Sequence, residues 1–193
     1  RASELTRQIL ACTHRDAPPL RPVGIEAIVE EALRILSRSV GRSVKIRADL
    51  RAPSERILGD PASLVQAVVN LGVNAGEAMP EGGILTVSAS PYVSDGSVRF
   101  DDVPVPGGRY ASVSVSDTGC GIPEAIRGQV FALFFTTKSP GEGAGLGLPL
   151  ARTCIRAHRG FLRLESQAGK GTTVEFLIPV LEGPEPSAAP DLP

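Results

Sequence analysis

Residues 60–79 join a strong helix start to a polar stripe on an otherwise apolar segment, and this limits what the chain can fold into. Asp60 suits an N-cap and Pro61 the first helical position. Pro80, Gly82 and Gly83 end the segment near Met79. Leu64, Val65, Val68, Val69, Leu71 and Val73 make the helix apolar. Yet Asn70 and Asn74 stand four apart and Glu77 three further on, all on one side. Carboxamides are poor helix formers and poor core residues, so two on one face need polar partners. Neighbouring backbone would serve. So would an oxygen-liganded Mg²⁺, which keeps several waters and takes one or two protein oxygens.

The flanking pattern sets the fold class. Residues 24–39 read as an amphipathic helix that turns Ile25, Ile28, Val29, Ala32, Leu33, Ile35 and Leu36 inward. Val44, Ile46, Ala48 and Leu50 alternate with polar residues as in a strand, as do Leu85, Val87 and Ala89, and then Val113 and Val115. Residues 92–109 are polar with Gly and Pro, and read as a hairpin extension or loop with no legible role. A glycine-punctuated stretch runs from Asp117 to Gly147. A helix to about His158 and strands at 161–165 and 172–179 follow. Helices alternating with strand pairs predict an α+β fold: a two-layer α/β sandwich whose mixed, mainly antiparallel sheet is covered on one face by about three helices.

Composition narrows the function. The chain has 193 residues, enough for one compact domain, and 42% of them are hydrophobic. Lys and Arg number 20 against 21 Asp and Glu, a net charge of −1, which argues against a nucleic-acid surface. Aromatics make up 4% and Trp is absent, so base-stacking platforms are not expected. Cys12, Cys120 and Cys154 lack metal-ligand spacing and read as free thiols in a reducing compartment. No apolar run reaches the roughly 18 residues of a membrane span. Arg1-Ala2-Ser3 resembles no signal peptide and reads as a cut inside a longer protein, so a cytoplasmic location is expected, with the parent protein's membrane anchoring left open.

Four further segments carry chemistry. Asp117-Thr118-Gly119-Cys120-Gly121-Ile122-Pro123 follows a strand. Its carboxylate could accept from the exocyclic amine of adenine, or simply cap a tight turn. Phe131-Ala132-Leu133-Phe134-Phe135-Thr136-Thr137-Lys138 sets an apolar cluster, which could anchor a loop, before two hydroxyls and a cation. The segment from Gly141 to Leu148 places glycines before a helix opened by Pro149. That arrangement offers free N–H groups to an anion, or is a plain flexible loop. Its spacing is neither that of a P-loop nor that of a dinucleotide fold. Gly169-Lys170-Gly171-Thr172-Thr173 needs no role beyond a hairpin turn.

Taken in order, N-x-x-x-N-A, D-x-G-x-G-I-P, F-F-T-T-K, G-x-G-L-G-L and G-x-G-T resemble the N, G1, F, G2 and G3 boxes of the ATP-binding catalytic domain of bacterial sensor histidine kinases. That family belongs to a wider ATPase class with gyrase, Hsp90 and MutL. The resemblance covers about residues 60–179 and implies a Bergerat-type fold. It divides the chain into the end of a dimerisation helix (1–15, with Ala2, Leu5, Ile9 and Cys12 on one stripe), a linker (16–22, with Pro18, Pro19 and Pro22), the catalytic domain (23–181) and a Pro- and Ala-rich tail (182–193).

The same resemblance implies site roles. Asn74 would hold Mg²⁺, and Asn70 would assist at the metal and phosphates, with Glu77 beside them. Asp117 would read the adenine amine with Thr172, while Gly119, Gly121 and Ile122 shape the base pocket. Residues 136–147 would be a mobile lid closing over ATP. Phe134, Thr137, Lys138, Gly143, Gly145, Leu146, Gly147 and Leu148 would meet the nucleotide, with Asn70 and Lys138 as the catalytic groups. The implied activity is transfer of the γ-phosphate of Mg·ATP to a histidine on a separate dimerisation domain of the same protein, a homodimer when intact. A response-regulator receiver domain would stand downstream.

The sequence also departs from the family. Ala132 and Leu133 stand where an acid and a proline are usual, and Gly76 stands where a basic residue often follows the N-A pair. That leaves Lys138 or a neighbouring arginine to compensate. His158-Arg159-Gly160 replaces H-G-G. His14 and His158 lack the acceptor context, so no self-phosphorylation is expected. Two rival readings remain. In an ATP-hydrolysing relative of gyrase, Hsp90 or MutL, a Glu at position 70 would be the base for water, where this chain has Asn. A nucleotide-binding pseudokinase scaffold would account for the altered box residues.

Overall fold

The computed structural model describes residues 19–52, 55–138 and 143–181. Its helices are α1 (Ile25–Ser39), α2 (Pro61–Glu77), the single turn α3 (Glu124–Arg127) and α4 (Gly147–Ala157). Its strands are β1 (Arg21–Gly24), β2 (Val44–Leu50), β3 (Arg56–Gly59), β4 (Gly83–Ser94), β5 (Arg99–Phe100), β6 (Val103–Pro104), β7 (Gly108–Asp117), β8 (Phe161–Gln167) and β9 (Gly171–Pro179). Five strands form one sheet in the order β2-β4-β7-β9-β8. Within this sheet the β2–β4 pair is parallel, because a crossover through α2 joins these strands, whereas β4–β7, β7–β9 and β8–β9 run antiparallel. The sheet is therefore mixed and mainly antiparallel, as the sequence pattern predicts.

The core lies between this sheet and α1, α2 and α4. Ile25, Ile28, Val29, Ala32 and Leu36 form the buried stripe of α1. They meet Leu64, Val68 and Leu71 of α2, Ala151 and Ile155 of α4, and the inward residues Leu85, Val87, Val113, Val115, Val174 and Phe176. Burying each such Val, Leu, Ile or Phe contributes about 1.5–3 kcal/mol. The start of α2 follows its sequence signal: the Asp60 carboxylate accepts from the N–H groups of Ala62 and Ser63 at 3.3 and 3.1 Å.

Two features differ from the sequence reading. Ile35 is 37% exposed, because the apolar arc of α1 is wider than the one side that the sheet and α2 cover. Arg21 and Pro22, read as the end of a linker, begin β1, which pairs with β3 antiparallel. Residues 92–109, read as a hairpin extension or loop, extend the β4–β7 pair to Ser94 and Gly108 and carry the short β5–β6 pair between them. There a second small core forms from Phe100, Val105, Tyr110 and Leu177. The expected helix at 1–15 and the tail at 182–193 lie outside the described residues.

Candidate functional site

A cavity of about 740 Å³ opens between α2, the start of α4 and the inner residues of β7, β8 and β9. Gln66, Asn70, Asn74 and Glu77 line it as one polar stripe of α2, while Leu64, Ala67, Val68, Val69, Leu71 and Ala75 of that helix are buried. At one end of the stripe Gln66 Nε2 donates to Asn70 Oδ1 at 2.8 Å. At the other end the Lys138 ammonium is ion-paired with Glu77.

Asp117, the last residue of β7, lines the cavity at 8% exposure. Its Oδ1 accepts from the N–H of Gly119 at 2.8 Å and from the N–H of Thr172 at 3.2 Å. Burial pushes its carboxyl above the usual carboxylate range, against the opposing pull of those two bonds. The turn that follows is fixed by contacts open only to glycine. Gly121 has φ +65°, and a Cβ there would overlap the carbonyl oxygen of Gln167. Gly171 has φ +105°, and a Cβ there would overlap the carbonyl oxygen of Asp117 itself. Ser166 Oγ braces the same corner by accepting from Ile122 N–H at 2.8 Å.

At the opposite wall α4 begins at Gly147 without a side-chain cap, and Gly147, Leu148, Pro149 and Leu150 all line the cavity. Its first N–H groups and positive dipole end are thus offered to an anion. Asn74 lies directly against this helix start: a Cβ on Gly147 would stand 2.9 Å from Asn74 Nδ2 and 3.1 Å from its Oδ1. The missing side chain lets the helix start approach that carboxamide closely. No group of three or more His, Cys, Asp or Glu able to hold a metal occurs among the described residues. A cation at Asn74 would therefore depend mostly on ligand and water oxygens, which suits Mg²⁺.

The structure brings most of the sequence-derived site residues together. Asn70, Asn74, Glu77, Asp117, Gly121, Ile122, Thr137, Lys138, Gly143, Gly145, Leu146, Gly147, Leu148 and Thr172 line the one cavity. Two others are placed elsewhere. Gly119 packs on the backbone of α2's end, where a Cβ would stand 2.5 Å from the carbonyl oxygen of Ala78. Phe134 has φ +66° and turns outward at 65% exposure, so Phe135 and Thr136 line the cavity instead. Of the apolar cluster expected to anchor the loop, Phe131 packs on the core, while Leu133 is 63% exposed. Gly141 and Glu142 lie outside the described residues.

Sequence reasoning missed Gln66 and the apolar walls Val115, Ile126, Val130, Leu164 and Val174. Gln66 carries a signal, since it lies four residues before Asn70 on the same face. The walls carry none, because a valine facing a cavity reads like a valine facing the core. His158 is 5% exposed and lies outside the cavity lining. Its Nε2 accepts from Asp60 N–H at 3.0 Å, so Nδ1 carries the proton and donates to the Cys154 carbonyl at 2.8 Å.

With the geometry in hand, comparison with known proteins gives concordant results. The sequence pattern of the family described as histidine kinase-, DNA gyrase B-, and HSP90-like ATPase matches residues 59–182. The chain is 34% identical over 183 residues to the sensor kinase CckA of Brucella abortus, covering 94% of this chain and 19% of that protein. It is 34% identical over 183 residues to the sensor histidine kinase TmoS of Ectopseudomonas mendocina, covering 93% and 18%. Among solved structures, the mycobacterial sensor histidine kinase MprB superposes with a TM-score of 0.65 at 25% identity, over 83% of this chain and 97% of that one. Full-length ShkA in complex with AMPPNP gives a TM-score of 0.69 at 26% identity, over 92% and 35%. The chain spans about a fifth of the length of CckA and TmoS.

Proposed function

Since the chain belongs to the histidine kinase-, DNA gyrase B-, and HSP90-like ATPase family, we propose that it binds Mg·ATP in the cavity under α4 and donates the γ-phosphate to a histidine. That histidine would belong to a dimerisation domain of the same protein, and a response-regulator receiver domain would take the phosphoryl group next. One observation carries the reading. A buried carboxylate, held through one oxygen by two backbone N–H groups, stands at one end of a cavity whose other end is an uncapped helix N-terminus. The first suits an exocyclic amine, and the second suits phosphates.

In this reading Asp117 accepts from the adenine amine, and Ile122, Ile126 and Val174 enclose the base. The N–H groups at the start of α4 bind phosphate oxygens, with Lys138 exchanging Glu77 for them when nucleotide binds. Mg²⁺ held by Asn74 would neutralise phosphate charge. Phosphoryl transfer depends chiefly on such positioning and charge neutralisation. An imidazole nitrogen of the acceptor forms its bond to the γ-phosphorus as the bond to the bridging oxygen breaks, and ADP leaves. His158 is not that acceptor, because both its ring nitrogens are engaged within the fold. Asn70 has no basic atom to take a proton from water, which disfavours hydrolysis.

Calorimetry of ATP against this chain, with and without Mg²⁺, tests the proposal. Micromolar, Mg²⁺-dependent binding is expected, and absence of binding refutes it.

A further inference from the structure

The two asparagines of α2 are chemically identical and one helical turn apart, but their neighbours differ. Asn74 faces the backbone of Gly147 at the start of α4. Asn70 has Gln66 one turn before it, and Gln66 Nε2 donates to Asn70 Oδ1 at 2.8 Å. In the structure the Asn70 carboxamide is turned with its oxygen towards Gln66 Nε2. With its oxygen engaged by Gln66, the group presents its Nδ2 hydrogens to the cavity that both residues line. An amide nitrogen donates hydrogen bonds and does not ligate Mg²⁺, which takes oxygen ligands.

We infer that Gln66 is a positioning residue, which turns Asn70 into a hydrogen-bond donor to a phosphate oxygen and leaves Asn74 as the carboxamide that ligates the metal. The inference rests on the Mg·ATP reading and deepens it. It divides the labour between two residues that the spacing alone leaves equivalent. It also gives a polar side chain at an exposed helix position a function that helix packing does not require. Glu77, at the far end of the stripe, takes no part in this orientation, because its partner is Lys138.

The test is a double-mutant cycle on this chain. Adenosine and a non-hydrolysable ATP analogue are titrated by calorimetry at several Mg²⁺ concentrations. The proteins are wild type, Gln66→Ala, Gln66→Glu, Asn70→Ala and the Gln66→Ala/Asn70→Ala pair. Adenosine should bind all five alike, since its amine is read at Asp117. Gln66→Ala should weaken the ATP analogue about threefold, because Asn70 becomes free to rotate, without changing the Mg²⁺ concentration needed. Gln66→Glu can only accept, so it draws Asn70 Nδ2 to itself, turns the oxygen to the phosphates and should weaken binding about tenfold or more. In the Asn70→Ala background, Gln66→Ala should change nothing. An equal effect of Gln66→Ala in both backgrounds, or none in either, overturns the inference while leaving the nucleotide site intact. Tighter, more Mg²⁺-dependent binding by Gln66→Glu also overturns it, since Asn70 oxygen would then face the metal. Failure of the wild type to bind either ligand removes the Mg·ATP reading itself.

Discussion

Replacing Asp117 by Asn separates the cost of the site from its use. In the folded chain the carboxylate is buried, and burial raises its pKa despite the N–H groups of Gly119 and Thr172. The charged form is thus held at a net cost. Asparagine keeps an oxygen for both N–H groups and removes the charge. Two bonds to a carboxylate become bonds to a neutral acceptor, at about 1 kcal/mol each instead of about 1.5–3, and relief of desolvation offsets the loss. The variant should therefore melt at or above the wild-type temperature at pH 7.

The pH dependence has a definite sign. Below the unfolded value near 3.9, Asp117 is protonated in both states and contributes nothing. As pH rises through that value and then through the raised folded value, the wild type loses stability relative to the Asn variant. The gap in melting temperature should open with rising pH. Nucleotide binding moves the other way. The variant puts an N–H₂ where the adenine amine needs an acceptor, a loss of about 1.5–3 kcal/mol or about 10- to 100-fold in affinity. Calorimetry for ATP and thermal melting from pH 4 to 8 measure both. An Asn variant that melts well below the wild type at pH 7, with the difference vanishing on acidification, would refute the reasoning, because the carboxylate would then be a net stabiliser.

Other substitutions test the frame around the cavity. Gly171→Ala must adopt φ near +105° and press its Cβ on the Asp117 carbonyl oxygen. It should cost about 2–4 kcal/mol in urea unfolding, and a change under about 1 kcal/mol would count against the contact. His158→Ala strands the Asp60 N–H and leaves a void, a loss of about 2–4 kcal/mol in melting experiments. ATP affinity of the folded fraction should stay within about threefold of wild type, because His158 does not touch the cavity. Glu77→Gln frees Lys138 from a half-exposed ion pair of about 0.3–1 kcal/mol, so ATP affinity at low salt should rise about two- to fivefold. A fall in affinity would instead mark Glu77 as a ligand in its own right.

Local signals made α2 readable: an N-cap Asp, a Pro at the first position and a Gly-Pro stop act within a few residues and are seen intact in the fold. The same locality explains what was missed. β1 and β3 have four residues each, too few to show alternation, and they are strands only because they pair with each other across all of α1 and β2. Pro91 makes β4 look finished at Ala89. It is tolerated because pairing to β2 stops at Ala89, so Pro91 stands where β4 has a single neighbour. At the site, polar residues in apolar surroundings announced themselves, as Asn70, Asn74 and Asp117 did. The fate of Phe134 and Phe135 did not, since a positive φ at Phe134 sends two adjacent, identical side chains to opposite environments.

His158 ties two helices together at their far ends, and this has a mechanical meaning. It clamps the last turn of α4 to the first turn of α2, at the opposite end of α4 from Gly147 and the cavity. A helix bolted at one end to its neighbour acts as a post and not as a lever. Any adjustment at the cavity mouth is then taken up at Gly143 and Gly145, ahead of Gly147, while the post stays upright. Hydrogen exchange should show that division as a step between fast amides at Gly143 to Gly145 and slow ones from Leu150 onward, whether or not nucleotide is present.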